Sequence, residues 1–254
     1  MSYFQELIQK YNYLPISALI TSKQLVDITN TLTEAMVKKN DPEEKLKLKQ
    51  VIETKQIKFL LHFTPISNLE NILTFGLLPR IILDIPSIQK IIRPNFPDKK
   101  RIDGHREAFC TSISWPNYKM LSSKRNNMDT EWVIIKLNQK HIEEHECMFF
   151  RTNAAHFESR RNKSTTLEDM FHNEDNIREE LDLESYFTTN PEAEVLSSSK
   201  ISPKWIQSIY FNSHNNPVKM LVLNLKKKKL LENISVFYES KFFNPRKDYK
   251  YWQK

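Results

Sequence analysis

The sequence predicts an α+β fold, in which short strands and short helices follow one another without regular alternation. Short apolar runs typical of buried strands recur along the chain, separated by helical or polar segments. The chain has 254 residues and 39% of them are hydrophobic, which is enough for a substantial core. It has two glycines, Gly76 and Gly104, where average usage of about 7% gives about 18. This scarcity excludes the glycine-rich phosphate loops of Rossmann folds, P-loop proteins and kinases.

The first 55 residues are predicted to form helices at 2–12, 22–39 and 42–55. Apolar residues such as Leu25 and Leu32 recur at spacings of three and four, and Pro42 stands near the start of the third helix. We interpret residues 1–56 as a helical N-terminal extension and residues 57–254 as the main domain.

The main domain contains most of the predicted strands. Strands are expected at 57–64, 107–114, 131–137, 147–150, 192–198, 205–211 and 220–225. Short helices are expected at 67–75, 117–125 and 139–145. Ser67 and Glu70 form a capping box for the first of these helices, and Gly76 provides a left-handed C cap. The segment 131–137 contains the uninterrupted apolar run WVII at 132–135, which indicates a strand buried on both faces. Residues 81–104 are expected to form a long connection.

The formal charge of +7 is concentrated at the C-terminal end. Residues 219–254 hold ten Lys or Arg residues and three acidic ones, so the net charge of this segment equals that of the whole chain. Aromatic residues, among them Phe242, Phe243 and Trp252, are interspersed with these cations. This composition is suited to binding a polyanion with exposed bases, such as single-stranded nucleic acid. The alternative is a solvated helix followed by a strand that packs through its aromatic residues. By contrast, 168–184 carries eight acidic residues and one basic residue.

Other features of the composition limit where the protein acts. No run approaches the roughly 20 apolar residues of a membrane-spanning helix, and the N-terminal residues lack the apolar core of a signal peptide. Two cysteines, Cys110 and Cys147, are too few for a disulfide framework or a cysteine-based zinc site. We expect a soluble cytoplasmic protein with no membrane partner and no metal.

Three residues stand where chemistry is expected. His62 ends a buried strand, Arg101 precedes Gly104 in the long connection, and Glu194 lies within an apolar strand. A carboxylate that faces a cleft from such a strand is poised for catalysis. The alternatives are a solvent-facing strand for Glu194 and a core histidine for His62.

The order and spacing of several motifs resemble the DarT family of DNA ADP-ribosyltransferase toxins. The similar segments are LLHFTPISNLENILTFGLLPR, RIDGHREAFCTSISWPNYKM, WVIIKL, TNAAHF, TNPEAEVL and FFNPRKDYKYW. They extend from about residue 57 to the C-terminal end. The resemblance implies the ADP-ribosyltransferase fold, with two small packed β-sheets and a cleft that binds NAD as co-substrate without a glycine loop.

The resemblance also implies roles for individual residues. The NAD-binding candidates are His62, Phe63, Thr64, Asn71 and Tyr118, with Trp115 as the alternative to Tyr118.

The catalytic candidates implied by the resemblance are Glu194, which stabilises positive charge on the ribose, and Arg101, which holds the pyrophosphate. Lys100 competes with Arg101 for that assignment. The DNA-binding candidates are Asn153, Arg151 and Glu192, and Glu192 is expected to influence the choice of acceptor.

The implied activity is NAD-dependent ADP-ribosylation of a base, guanine or thymine, in single-stranded DNA. The resemblance further implies a toxin whose partner is an antitoxin ADP-ribosyl-hydrolase of macrodomain or related type. The alternatives are an ADP-ribosyltransferase of the same fold that modifies RNA or protein, and a nucleic-acid-binding domain with an inactive cleft.

Overall fold

A computed structural model of the chain describes residues 3–12, 21–36, 39–97, 100–161 and 164–253. Its α-helices are α1 Tyr3–Asn12, α2 Ser22–Glu34, α3 Pro42–Thr54, α4 Leu69–Phe75, α5 Arg80–Leu83, α6 Pro86–Ile92, α7 Tyr118–Asn127, α8 Lys140–Glu144, α9 Phe157–Arg161, α10 Ile177–Glu180 and α11 Asn216–Lys227. Its strands are β1 Phe59–Pro65, β2 Phe109–Ile113, β3 Trp132–Asn138, β4 Cys147–Phe150, β5 Glu194–Ser197, β6 Ile206–Phe211 and β7 Ser235–Tyr238. Short 3₁₀ helices lie at Ile66–Asn68, Glu168–Phe171, Glu174–Asn176, Pro203–Trp205, Lys241–Phe243 and Tyr251–Gln253. The predicted α+β class is confirmed.

The strands form one seven-stranded sheet in the order β4-β5-β2-β1-β3-β6-β7. All neighbouring strands are antiparallel except β6 and β7. The two sheets that the resemblance implies are connected as two halves, β4-β5-β2 and β1-β3-β6-β7. The link between them is short, because β1 and β2 pair through Leu60 with Ile113 and Leu61 with Ser112. β1 remains paired with β3 as far as Pro65.

The apolar core lies on both faces of β3. Val133, Ile135 and Leu137 pack into the largest hydrophobic cluster, while Ile134 packs into a separate cluster with Leu61. All four β3 residues are fully buried. Because successive side chains of a strand point to opposite faces, this distribution confirms the predicted two-sided burial.

The N-terminal helices pack against the elements that follow β1. Leu25 and Leu32 of α2 share a hydrophobic cluster with Ile82 of α5 and Ile88 of α6. Helix α2 begins with a capping box at Thr21, but it ends at Glu34, earlier than the predicted 39. Residues 37–38 lie outside the described residues. The predicted extension therefore shares a core with the main domain.

The strand predicted at 220–225 was wrong, and the connection predicted at 81–104 contains short helices. Residues 220–225 lie in α11, whose N-cap is Asn215, and Val218, Val222 and Leu225 form its buried face. The segment 81–104 is not a simple connection, because it contains most of α5 and all of α6.

The start of α4 also differs from the prediction. A 3₁₀ turn at Ile66–Asn68 precedes the helix, and the Ser67–Glu70 capping box is absent from its start, where Asn68 is the N-cap. The Asn68 amide donates instead to the Thr64 hydroxyl and to the Asn95 carbonyl. The predicted positive φ at the C cap, Gly76, is confirmed at 87°, although its ψ of 178° is extended rather than helical. A Cβ at this position would lie 2.3 Å from the Ile201 carbonyl oxygen, so the close approach requires glycine.

The aromatic residues of the C-terminal segment are mostly packed into the protein. Phe242 and Phe243 are buried in the cluster that contains Leu61, and the Trp252 indole donates to Asp248. Phe242 and Phe243 therefore cannot stack on bases, which corrects that part of the sequence interpretation. None of the described helices has the length and apolar character that crossing a membrane requires.

Candidate active site

A cleft opens where β1 and β2 separate. Their pairing ends at Leu61 and Ser112, so the rest of β1 forms one wall and the β2–β5 pair forms the other. The cleft has a volume of about 500 Å³ and lies within the range of small-molecule sites. His62, Arg101 and Glu194 all line it. The structure thus brings together the three residues on which the sequence interpretation depends.

Glu194 is the first residue of β5, and its side chain is buried although it lines the cleft. The residue is 3% exposed. Its carboxylate accepts hydrogen bonds from the Asn153 amide at 3.3 Å and from the Ala154 backbone N–H at 3.0 Å. The pKa of Glu194 is raised to about 7, chiefly because burial disfavours the charged form and also because Asp103 is close, while the Ala154 N–H, Arg101 and Asn117 partly oppose the shift. Near neutral pH this carboxyl group is therefore poised between its two protonation states.

His62 bridges the two walls of the cleft. Its Nδ1 lies 2.9 Å from the carbonyl oxygen of Cys110 on β2. Because a carbonyl accepts only, Nδ1 carries the proton and donates, which leaves Nε2 as an acceptor. Burial lowers the pKa of His62 despite this hydrogen bond, so the ring is neutral at pH 7. A neutral imidazole with a fixed tautomer suits the acceptance of a hydrogen bond from a sugar hydroxyl.

Arg101 is held in a defined orientation by its neighbours. Its guanidinium makes a bidentate ion pair with Asp103, donates to the Ala108 carbonyl at 2.9 Å and contacts the Cys110 sulfur at 3.6 Å. Burial disfavours the charged form, but Cys110, Asp103 and Glu194 outweigh this effect and raise the pKa of Arg101. Arg101 is therefore a fixed positive charge in the cleft. Lys100 also lines the cleft and is exposed.

Three other predicted NAD-binding residues line the same cleft. The Thr64 hydroxyl accepts from the Asn68 amide, and the Phe63 ring lies 6.1 Å from Trp132. Asn71 donates to the Ile92 carbonyl at 2.7 Å. This last bond ties α4 to the end of α6, so in this structure Asn71 shapes the wall of the cleft.

Glu192 lies at the exposed end of the site. It precedes β5 and lines the cleft, and its Oε1 forms an ion pair with the Nζ of Lys119 on α7 at 3.0 Å. The Lys119 side chain is 61% exposed and that of Glu192 is 20% exposed. The pair spans the gap between α7 and the loop before β5.

Two predicted site residues lie away from the cleft. Tyr118 faces the opposite side of α7, where its ring packs edge-on against Tyr249 at 5.0 Å. Trp115, the alternative to Tyr118, packs against Phe187 and Phe242 and does not line the cleft.

Arg151 also lies outside the cleft lining and donates to Glu174 at 2.7 Å. Asn153, predicted as a DNA contact, lines the cleft and donates to Glu194 in this structure. The acidic stretch 168–184 has partners that sequence analysis missed, because Glu174 pairs with Arg151, and Asp182 and Glu184 pair with Lys247.

The C-terminal segment braces the loop that leads to β5. The Arg246 guanidinium donates to the carbonyls of Thr188 and Thr189 and forms a buried bidentate pair with Asp248. Arg178 donates to the Thr189 hydroxyl at 3.0 Å. These contacts fix the backbone just before the strand that carries Glu194.

Sequence analysis missed several residues of the site. Asp103 orients Arg101, and this role could have been predicted because the two residues lie two positions apart in the same motif. Lys119 and Asn117 gave no signal, because their roles depend on contacts with residues more than 70 positions away. Among the described residues, no group of three or more His, Cys, Asp or Glu side chains is placed to hold a metal ion.

The arrangement supports chemistry at a sugar. A carboxylate, a fixed cation and a neutral hydrogen-bond acceptor face one another across a cleft of suitable size. A carboxylate stabilises the oxocarbenium-like state that forms when a glycosidic bond breaks, and a guanidinium binds phosphate oxygens.

Comparison with known proteins gives a consistent result. A sequence model of the family described as "ssDNA thymidine ADP-ribosyltransferase, DarT" matches residues 61–243. No curated protein sequence matches the chain at a significant level.

Three solved structures are similar at low identity. The Thermosipho africanus DarTG in complex with ADP-ribose is 20% identical with a TM-score of 0.47, and the match covers 73% of this chain and 51% of that one. The Thermus sp. 2.9 DarT in complex with carba-NAD+ is 14% identical with a TM-score of 0.47, covering 74% and 99%. The same protein in complex with NAD+ is 15% identical with a TM-score of 0.45, covering 74% and 98%.

The chain spans about half the length of the Thermosipho chain and nearly all of the Thermus chain. The family match covers well over half of the sequence and includes His62, Arg101 and Glu194. This chain belongs to the DarT family of NAD-dependent ADP-ribosyltransferases.

Proposed function

We propose that this protein transfers ADP-ribose from NAD to a base of single-stranded DNA. The observation that carries the proposal is the buried carboxylate of Glu194, which lines one cleft with His62 and Arg101. The family description supports both the donor and the nucleic-acid acceptor. We also propose that residues 57–254 form the transferase domain and that residues 1–56 are an extension packed against it.

The cleft residues have distinct tasks in binding NAD. His62 accepts a hydrogen bond from a ribose hydroxyl through Nε2, because its Nδ1 is already bonded to Cys110. Arg101 faces the pyrophosphate, and Asp103 fixes the orientation of its guanidinium. Thr64 contributes its hydroxyl, and Asn71 contributes its amide oxygen. Glycine-poor walls are sufficient for this mode of binding, because side chains rather than backbone N–H groups hold the phosphates.

Glu194 acts where the bond breaks. The bond between the ribose carbon and the nicotinamide nitrogen breaks, and its electron pair leaves with nicotinamide, which departs neutral. The positive charge that develops on the ribose is stabilised by the ionised Glu194 carboxylate. A base nitrogen then forms the new bond to the same carbon and loses its proton, which Glu194 or water accepts. The protonated form of Glu194 lacks the required charge, so activity depends on its ionisation.

The acceptor is a base in a single strand. An enzyme that modifies a base needs it unstacked, which favours single-stranded substrates. We propose thymine as the base because the family is described as acting on thymidine. Guanine is the competing outcome. Glu192 and Lys119 at the mouth of the cleft are the residues we propose to contact the incoming base, with Asn153 and Arg151 nearby.

The biological role we propose is that of a cytoplasmic toxin controlled by an antitoxin. The similar Thermosipho structure is of a DarTG protein bound to ADP-ribose, which supports a partner that removes or recognises ADP-ribose. An ADP-ribosyl-hydrolase of macrodomain or related type has the required chemistry.

The experiment uses NAD labelled in its adenosine moiety. The wild type and Glu194→Gln are incubated separately with single-stranded DNA, RNA and a protein extract. Label in DNA with the wild type, and none with Glu194→Gln, supports the proposal. Label confined to RNA or protein would replace it with the alternative acceptor, and equal labelling by both forms would reject the role of Glu194. An absence of NAD turnover with retained DNA binding would identify an inactive binding domain.

A further inference from the structure

Asn117 occupies a special place between β2 and α7. Its Oδ1 accepts from the Met120 N–H and caps α7, and its own backbone N–H donates to the Ser112 hydroxyl at 3.2 Å. In the β2–β5 register, Thr111 lies opposite Val195, so the next position, Ser112, adjoins Glu194. Asn117 is therefore bonded to the residue that follows the last position of β2 paired with β5, next to Glu194 on the neighbouring strand.

The side-chain amide of Asn117 is incompletely bonded. The residue is 1% exposed, and its Nδ2 has no hydrogen-bond partner in the structure. A buried donor without a partner is costly and rare in native proteins. The Asn117 side chain nevertheless lies close enough to Glu194 to act as a donor that lowers the pKa of that carboxyl group, although the contact is not a well-formed hydrogen bond.

The carboxylate of Glu194 has room for a third donor. Its two present donors are Asn153 and the Ala154 backbone N–H, both from the segment after β4. An ionised carboxylate has about four acceptor sites. A donor from the opposite side, at the start of α7, would fix the carboxylate from both directions.

We propose that Asn117 is a positioning residue whose side-chain amide completes the set of donors around the Glu194 carboxylate. This inference rests on the function proposed above. Asn117 holds the carboxylate against the ribose and favours its charged form, which the developing oxocarbenium state requires. It also links α7, which carries Lys119 at the cleft mouth, to the reacting centre.

Substitutions that keep an acceptor oxygen at position 117 but remove the side-chain NH₂ donor test this role. Asn117→Ser and Asn117→Asp retain an oxygen that caps α7 but remove the Nδ2 donor, because Ser and Asp are favoured N-cap residues. Asn126→Ser makes the same change at an exposed position of the same helix and serves as the control. If Asn117 were only a helix cap, both position-117 variants would resemble the wild type.

We expect Asn117→Ser to fold normally and to lose about tenfold in kcat/KM for NAD, the size expected for a hydrogen bond to a charged group. The acid limb of its pH profile should move upward by about one unit. Asn117→Asp should show a larger upward shift, because a second carboxylate opposes ionisation. Wild-type kcat/KM and an unchanged acid limb in both variants would overturn the inference.

Carbon-13 NMR of the Glu194 carboxyl group separates this inference from the proposed function. The other charged groups that face Glu194, Asp103 and Arg101, are the same in all variants. A higher Glu194 pKa in Asn117→Ser and Asn117→Asp, measured without NAD, supports the contact whatever the enzyme's activity. An unaltered pKa in both variants overturns the inference, even if the wild type turns over NAD and Glu194→Gln does not. If only the proposed function were wrong, the wild type would not turn over NAD, but the Glu194 pKa would still be higher in the Asn117 variants.

Discussion

Replacing Glu194 by Gln should stabilise the protein at alkaline pH while removing its activity. Burial raises the pKa of this carboxyl group from 4.5 to about 7. That rise from 4.5 to about 7 corresponds to about 3.5 kcal/mol, at about 1.4 kcal/mol for each pH unit. The unfolded chain releases the proton from about pH 4.5 upward, but the folded protein retains it until about pH 7. The stability that this group contributes is therefore fully present below pH 4.5 and is lost as the pH rises through about 7.

Gln cannot ionise, so the variant is free of this loss. The difference in the free energy of unfolding between Glu194→Gln and the wild type should increase by about 2.5 kcal/mol from about pH 5 to about pH 8. This is less than the full energy of the pKa shift, because part of the titration lies outside that interval. Urea unfolding followed by tryptophan fluorescence measures this difference, because other titrating groups contribute equally to both proteins.

Glu232→Gln changes an exposed glutamate and controls for the substitution itself. A difference between wild type and Glu194→Gln that stays constant over this pH interval would refute the buried, proton-retaining carboxyl group.

Three further predictions concern activity, stability and DNA binding. The kcat/KM for NAD should rise with pH through about 7, because Glu194 must be ionised; a flat profile from pH 5 to 8 would contradict this. Arg246→Ala should lower the free energy of unfolding by about 3 kcal/mol, because it leaves Asp248 charged and buried. The double variant Arg246→Ala/Asp248→Ala should lose less stability. If Arg246→Ala and the wild type were equally stable in urea, Arg246 would not brace the loop. Substituting Gln for Lys226, Lys227 and Lys229 should flatten the salt dependence of single-stranded DNA binding, by about 0.7 in the logarithmic slope for each phosphate that the variant no longer neutralises. An unchanged slope would show that these exposed lysines are merely solvated.

The lysine substitutions are preferable to deletion of the C-terminal segment. Deleting residues 226–254 would remove β7 together with the buried Phe242 and Phe243. Such a truncation would expose the core around Leu61, and weakened DNA binding could not be assigned to the missing charge.

The sequence was most informative where local patterns decide the structure. The apolar run at 132–135 predicts β3 and its two-sided burial, because the run is short and consists of β-branched and aromatic residues. The failure at 220–225 has a local cause as well. Its apolar residues look continuous, but Val218, Val222 and Leu225 follow helical spacing after an Asn cap and a nearby proline. A count of helical spacing would have found α11.

The meeting of His62, Arg101 and Glu194 was predictable from motifs whose spacing resembles a known family. The details around them depend on long-range contacts that a single sequence does not show. Tyr118 illustrates the limit, because which face of α7 meets the cleft is decided by tertiary packing. Lys119 and Met120 line the cleft, while the Tyr118 ring packs against Tyr249 away from it. Arg246 is a second example, since its partners Thr188 and Thr189 lie 57 or more residues away.

Mass spectrometry of a single-stranded oligonucleotide after incubation with NAD tests the central claim most directly. Oligonucleotides that contain thymine or guanine as the only reactive base are compared, with the wild type and Glu194→Gln in parallel. We expect the wild type to add the mass of one ADP-ribosyl group to the thymine oligonucleotide, and the variant to add none. An unmodified oligonucleotide with the wild type, or equal modification by Glu194→Gln, would contradict this expectation.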